Sequence, residues 1–60
     1  MQNYYIKNSR SNKEKLAVIV SDLLKNDIDF NYRTTSKYYI VSAYNIECFI
    51  ASFGLEFEVE

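Results

Sequence analysis

Residues 11–26, SNKEKLAVIVSDLLKN, decide the fold, because they carry a complete helix signal with a start, an apolar stripe and an end. Ser11 and Glu14 have the spacing of a capping box, in which each side chain satisfies a backbone N–H of the first turn. Asn26 tolerates the left-handed conformation that ends many helices. Between them, five aliphatic residues recur at helical spacing on one face: Leu16, Ile19, Val20, Leu23 and Leu24. Burial of each contributes roughly 1.5–3 kcal/mol, so we expect an apolar sheet to cover this helix.

Strand-like segments lie on both sides of the helix. Residues 3–7, NYYIK, form a short β-prone run before it. Residues 28–33 follow it and alternate strictly, which places three side chains on the core side: Ile28, Phe30 and Tyr32. Residues 34–37 form a polar turn, and residues 38–42, YYIVS, are apolar on both faces, as in a central strand. These patterns predict three strands around the first helix.

The remaining residues predict a second helix and a last strand. Ser42 is placed to cap a helix with four apolar residues at helical spacing: Ile46, Phe49, Ile50 and Phe53. Gly54, the only glycine, lies where a left-handed C-terminal cap is needed, and Leu55 is expected to pack on Ile50. Residues 55–60 alternate again, with apolar side chains inward and Glu56, Glu58 and Glu60 outward.

The predicted order, β-α-β-β-α-β, resembles a minimal ferredoxin-like sandwich. That resemblance implies one α+β domain over residues 1–60, with a four-stranded antiparallel sheet and two helices on one face. In this arrangement the first and third strands are central, and those are the strands with two apolar faces. The resemblance rests on element order and implies no activity. One alternative remains open, in which the last strand pairs with another chain.

Composition limits the classes of function. A 60-residue domain has a thin margin of stability, which favours a partner or self-association. The net charge of −1 disfavours a general polyanion binder. The N-terminal residues lack a signal-peptide pattern, and no apolar run is long enough to span a membrane, so we predict a cytoplasmic protein without membrane contact. A single cysteine and no histidine predict no disulfide, no metal and no cofactor.

The same composition argues against an enzyme. Without histidine, neither a serine nor a cysteine nucleophile has its usual base. Cys48 falls inside the second predicted helix, where we expect a buried structural thiol. A lone glycine excludes a glycine-rich phosphate loop. We therefore predict no catalytic residue.

Protein recognition is the function that these observations favour. We expect seven partner-binding residues on the uncovered sheet face and its acidic edge: Tyr5, Lys7, Arg33, Tyr39, Val41, Glu56 and Glu58. A face-to-face homodimer would bury the same tyrosines. Residues encoded by AT-rich codons (Phe, Tyr, Met, Ile, Asn, Lys) dominate a short chain that begins at Met. This composition suggests a phage or mobile-element product that inhibits a host enzyme or defence system by stoichiometric binding.

Nucleic-acid binding is the alternative function. Ferredoxin-like sheets of the RNA-recognition family stack bases on aromatic residues of the two central strands, and Tyr5 and Tyr39 are the candidates for that role. The basic and glycine-rich signature of that family is missing, and the same face would carry glutamates.

Overall fold

A computed structural model describes residues 1–60 and contains four strands and two helices. In chain order they are β1 (Gln2–Lys7), α1 (Arg10–Lys25), β2 (Phe30–Thr34), β3 (Tyr38–Ala43), α2 (Glu47–Ser52) and β4 (Phe57–Val59). The strands form one antiparallel sheet in the order β2-β3-β1-β4. This is the ferredoxin-like α+β arrangement that the element order predicts, with the first and third strands central. The last strand pairs with β1 of its own chain.

The N-cap of helix α1 is Ser9, two residues before the predicted cap Ser11. Ser9 has extended backbone (φ −144°, ψ 161°), and its Oγ accepts a hydrogen bond from the Asn12 N–H at 3.3 Å. The predicted capping box of Ser11 and Glu14 is therefore wrong, because Ser11 already lies within the helix. At the other end, the left-handed residue is Asp27 (φ 54°) and not Asn26.

Three of the five predicted stripe residues of α1 are fully buried: Leu16, Ile19 and Leu23. Val20 is half-buried, whereas Leu24 is 65% exposed. The helix lies at the side of the sheet that carries β2, because Leu16 and Val20 face Tyr32 across a shallow groove. Because β2 is an edge strand, the sheet does not extend beneath the outer flank of α1, and the apolar stripe of the helix is only partly covered.

One apolar cluster joins both helices to a single face of the sheet. Its strand members are Tyr4 and Ile6 of β1 with Tyr39, Val41 and Ala43 of β3. Its other members come from the helices and the segments around α2: Leu16, Ile19, Leu23, Ile46, Ile50 and Leu55. The other face of the sheet is covered by no element of the chain.

The N-cap residue of helix α2 has no side chain that caps the helix. Its N-cap residue is Ile46, and the Ile46 N–H donates a hydrogen bond to the Tyr4 hydroxyl at 3.3 Å. The prediction that Ser42 caps this helix is wrong, because Ser42 belongs to β3 and its Oγ donates to Asn3 Oδ1 at 2.6 Å. Gly54 does adopt the left-handed conformation (φ 73°) that we predict after this helix.

Two further features bear on function. Cys48 is exposed, so the expectation of a buried thiol is wrong; the residue lies on the outer side of α2. Neither helix has the length and apolar character required to cross a membrane.

Candidate functional site

The uncovered sheet face, here called the open face, is defined by the pairing of β1 with β3. Tyr5 lies opposite Ile40, and Lys7 lies opposite Tyr38. Side chains alternate along a strand, so these four residues point away from the face that carries the buried Tyr4. On the two edge strands the same alternation adds Asn31 and Arg33 of β2 and Glu58 of β4.

An aromatic pair forms the centre of the accessible part of this face. The rings of Tyr5 and Tyr38 meet edge to face, with 5.7 Å between centroids and 88° between planes. Together they line an open groove of about 760 Å³. Edge-to-face contact is a favoured arrangement of two aromatic rings, and tyrosines are enriched among the residues that dominate binding energy.

Charged side chains of both signs border the aromatic pair. Lys7 and Lys37 line the groove at the end of β1 and the start of β3, whereas Glu56 and Glu58 line it on the β4 side. The groove therefore presents charges of both signs around the two tyrosines, with the carboxylates on the β4 side. Such an apolar centre with a polar rim is typical of protein interfaces.

Side-chain amides hold the end of the groove in place. The Asn8 N–H donates to the Lys37 carbonyl, and Asn8 Nδ2 donates to the Thr35 carbonyl, both at 2.9 Å. Asn12 Nδ2 donates to the Lys7 carbonyl at 2.9 Å. These bonds tie the end of β1 to the β2–β3 turn and to α1, so the backbone that carries Lys7 and Lys37 is fixed.

The middle of the open face is closed by its own side chains. Ile40 and Ser42 point to this face, yet they are only 7% and 8% exposed. Ile40 lies between Tyr5 on one neighbouring strand and Arg33 on the other. The accessible part of this face therefore consists chiefly of the tyrosine pair and the charged residues around it.

Four of the predicted site residues line this groove: Tyr5, Lys7, Glu56 and Glu58. Arg33 lies on the same face, two strands from Tyr5 and outside the groove. The expectation that Tyr39 and Val41 lie on the open face is wrong, because they are 5% and 0% exposed and belong to the core.

The physical reason for this error is the register of β3. Tyr39 lies opposite Ile6, and Val41 lies opposite Tyr4, so both point toward the helices. The residues that sequence reasoning missed are Tyr38 and Lys37. Tyr38 is identified only by the register of the sheet, which sets it opposite Lys7, a residue expected on the open face.

Ionisation and metal chemistry do not centre on the groove. Burial raises the pKa of Tyr4, and the nearby Glu47 carboxylate adds to this effect. Tyr4 lies on the helix side of the sheet, so the shift concerns stability. No three histidine, cysteine, aspartate or glutamate side chains come together in a way that would hold a metal ion.

Comparison with known proteins gives no assignment, since no family model, no curated protein and no solved structure matches the chain.

Proposed function

We propose that the protein is a non-catalytic binding module that engages another protein through the groove on its open face. The observation that carries this proposal is the Tyr5–Tyr38 pair, held edge to face on a sheet surface that no other element covers. Tyrosines supply a large contact area with few rotatable bonds, and they are enriched among the residues that dominate binding energy.

The charges of the groove favour a protein as the partner. Lys7 and Lys37 attract acidic groups, and Glu56 and Glu58 attract basic groups. A partner surface that carries both signs would therefore be held in one orientation in the groove. A polyanion would meet the carboxylates of Glu56 and Glu58 on the β4 side of the groove, and their repulsion would oppose its binding.

The partner that we propose is a host protein in the cytoplasm, inhibited by one-to-one binding in the manner of a phage or mobile-element product. Support for this choice comes from the AT-rich residue composition. Binding without chemistry is sufficient for such a role, and the absence of histidine from the sequence agrees with it.

Nucleic-acid binding is retained as the competing function because Lys7, Lys37 and Arg33 all lie on or beside the open face. Base stacking requires free ring faces. The edge-to-face contact occupies one face in the Tyr5–Tyr38 pair, and Tyr39 lies under the helices. These two observations weaken the stacking platform that the sequence suggests.

The test is affinity capture with a variant of the groove and a matched control. Tyr5→Ser/Tyr38→Ser removes the aromatic pair, whereas Tyr44→Ser removes a tyrosine that is 63% exposed outside the strands and helices. We expect the wild-type chain and the control to retain one host protein at a constant molar ratio and the double variant to lose it. Thermal unfolding of all three chains must first show that each is folded.

Two results would overturn this proposal. Equal retention of the partner by the double variant would place binding elsewhere on the molecule. Binding of a single-stranded oligonucleotide at about 0.15 M salt, with an affinity that falls steeply as salt rises, would favour the nucleic-acid alternative.

A further inference from the structure

The two edges of the sheet differ in how they are protected from pairing with another chain. β4 has only three residues; it contains Glu58 and is flanked by Glu56 and Glu60. Short length and repeated charge are the usual protections of an edge strand. β2 has five residues, contains neither proline nor lysine, and carries one arginine as its only charge. Its outer side is open.

The ladder to β3 shows which backbone groups of β2 are free. Antiparallel strands alternate between residue pairs that exchange hydrogen bonds and pairs that do not. Thr35 donates its N–H to the Tyr38 carbonyl at 2.8 Å, so by this alternation Asn31 and Arg33 turn their polar backbone groups toward β3. Three residues therefore turn their N–H and C=O groups to the free side: Phe30, Tyr32 and Thr34.

An apolar surface continues from this edge onto α1. A shallow groove of about 330 Å³ separates helix and strand and is lined by Leu16, Ala17, Val20 and Tyr32, with Lys13 at its side. Near the same edge, Tyr32 is 43% exposed and Ile28 is 40% exposed. Leu24, on the same flank of the helix as Ala17 and Val20, is the most exposed of the large apolar residues, at 65%. This flank would face any strand added to β2.

We propose that β2 pairs antiparallel with β2 of a second copy of this chain, about a two-fold axis at Asn31. In this register Asp29 lies opposite the partner's Arg33, and the symmetry repeats the pair on the other side of the axis. Phe30 lies opposite the partner's Tyr32, where both turn free backbone groups toward each other. The result is one continuous eight-stranded sheet with all helices on the same face.

The charges of Arg33 in β2 and of Asp29, the residue before β2, select this register and this occupant. A two-fold axis at Tyr32 sets Arg33 opposite the partner's Asn31, and an axis at Phe30 sets Asp29 opposite the partner's Asn31. Neither register joins opposite charges among residues 28–34. An axis at Phe30 also sets Asp27 opposite the partner's Arg33, but Asp27 is left-handed (φ 54°) and does not continue the strand. An unrelated peptide would satisfy the free backbone groups as well. Asp29 and Arg33, however, each lie two residues from Asn31, so the segment is complementary in charge to an antiparallel copy of itself.

The test is a charge exchange, measured as molar mass by sedimentation or light scattering over a dilution series. We expect the wild-type chain to show the mass of two chains of 7.1 kDa and to dissociate on dilution. Asp29→Arg or Arg33→Asp alone sets like charges opposite each other twice per dimer and should raise the dissociation constant by at least about tenfold. The double variant restores both pairs and should return to within about threefold of the wild type.

Both exchanged side chains are exposed, so the monomer should fold in every variant. Tyr32→Pro provides a second probe, since it removes an N–H that faces the free side and leaves the bonds to β3 intact. It should abolish the dimer. Glu58→Arg, on the opposite edge, is the matched control and should leave the dimer unchanged.

Three results would overturn the proposal. The first is a wild-type mass of one chain at about 1 mM, since a dissociation constant above that concentration is too weak for specific association. The second is a double variant that fails to recover the dimer. The third is a dimer that is lost on Glu58→Arg. The pairing of β2 with β2 of a second copy does not depend on the partner proposed for the open face, because Asp29 and Arg33 lie outside the groove.

Discussion

Removal of a single oxygen atom in Tyr4→Phe should weaken the connection between β1 and α2. The Tyr4 hydroxyl donates to Gln2 Oε1 at 2.7 Å and accepts from the Ile46 N–H at 3.3 Å. The Ile46 N–H has no backbone acceptor, so the variant leaves it buried without a partner. A buried unsatisfied donor costs about 1–3 kcal/mol.

That loss is large for this chain. At 0.05–0.15 kcal/mol per residue, a 60-residue domain has a free energy of unfolding of roughly 3–9 kcal/mol. The aromatic contact of the ring with Phe57, at 5.9 Å between centroids, remains in the variant. Denaturant unfolding at pH 7 should therefore show a lower midpoint with an unchanged slope. Tyr44→Phe removes an exposed hydroxyl and should leave the midpoint unchanged.

The pH dependence tests the same hydroxyl independently. The pKa of Tyr4 is raised above its ordinary value of 10.0, chiefly by burial. Above pH 10 the unfolded chain loses this proton while the folded chain keeps it. The stabilisation from the neutral phenol is thus fully present below pH 10 and is lost as the pH rises through the folded pKa, by up to about 1.4 kcal/mol per pH unit.

Tyr4→Phe should lack this part of the alkaline decline, whereas Tyr44→Phe should retain it. Equal stability of wild type and Tyr4→Phe at pH 7 would refute the capping role of the hydroxyl. Parallel loss of stability in both chains above pH 10 would refute its ionisation as the cause.

Three further predictions concern packing and the ends of the helices. Ser9→Ala should lower the free energy of unfolding by about 1 kcal/mol, whereas Ser11→Ala should leave it nearly unchanged; the reverse order in chemical denaturation would restore the capping box predicted from the sequence. Leu23→Ala should cost about 2–5 kcal/mol and Leu24→Ala less than about 1 kcal/mol, since their exposed fractions are 1% and 65%; similar thermal shifts would contradict the burial pattern. Gly54→Ala should lower the free energy of unfolding by about 1–2 kcal/mol, because alanine is strained in the left-handed conformation. The added methyl group itself meets no clash, since its nearest neighbour, Lys15 Nζ, lies 4.0 Å away. A more stable variant would exclude the left-handed conformation.

The sequence predicts the fold well because the periodicity of its segments is unambiguous. The changes from period two to helical spacing identify every element, and the two-sided apolar character of the first and third strands identifies the centre of the sheet. Helix ends are predicted less well, since Ser9 and Ser11 are both acceptable caps by composition. Only the extended backbone at Ser9 decides between them.

The candidate site is predicted only in part because β3 has no polar residue at alternate positions before Ser42. Residues 38–41, YYIV, are apolar in both phases, so periodicity cannot tell which side chains face the helices. The pairing of Tyr39 with Ile6 supplies that information. The Tyr4 cap on α2 was equally inaccessible, because it joins residues on opposite sides of the chain's midpoint and has no local motif.

The central position of β1 has a consequence for how fast the chain folds. Both neighbours of β1 come much later in the sequence, and the ladder to β4 ends in two hydrogen bonds of 2.9 Å between Asn3 and Glu60. Only β2 and β3 form a local hairpin; the remaining pairings must close loops that span most of the chain, which slows folding relative to its size. A circular permutant that links the adjacent ends and opens the chain in the β2–β3 turn would convert the β4–β1 ladder into a hairpin. In the permutant the β4–β1 pairing would be local and the β2–β3 pairing would not. The β1–β4 half of the sheet should then assemble before the β2–β3 half.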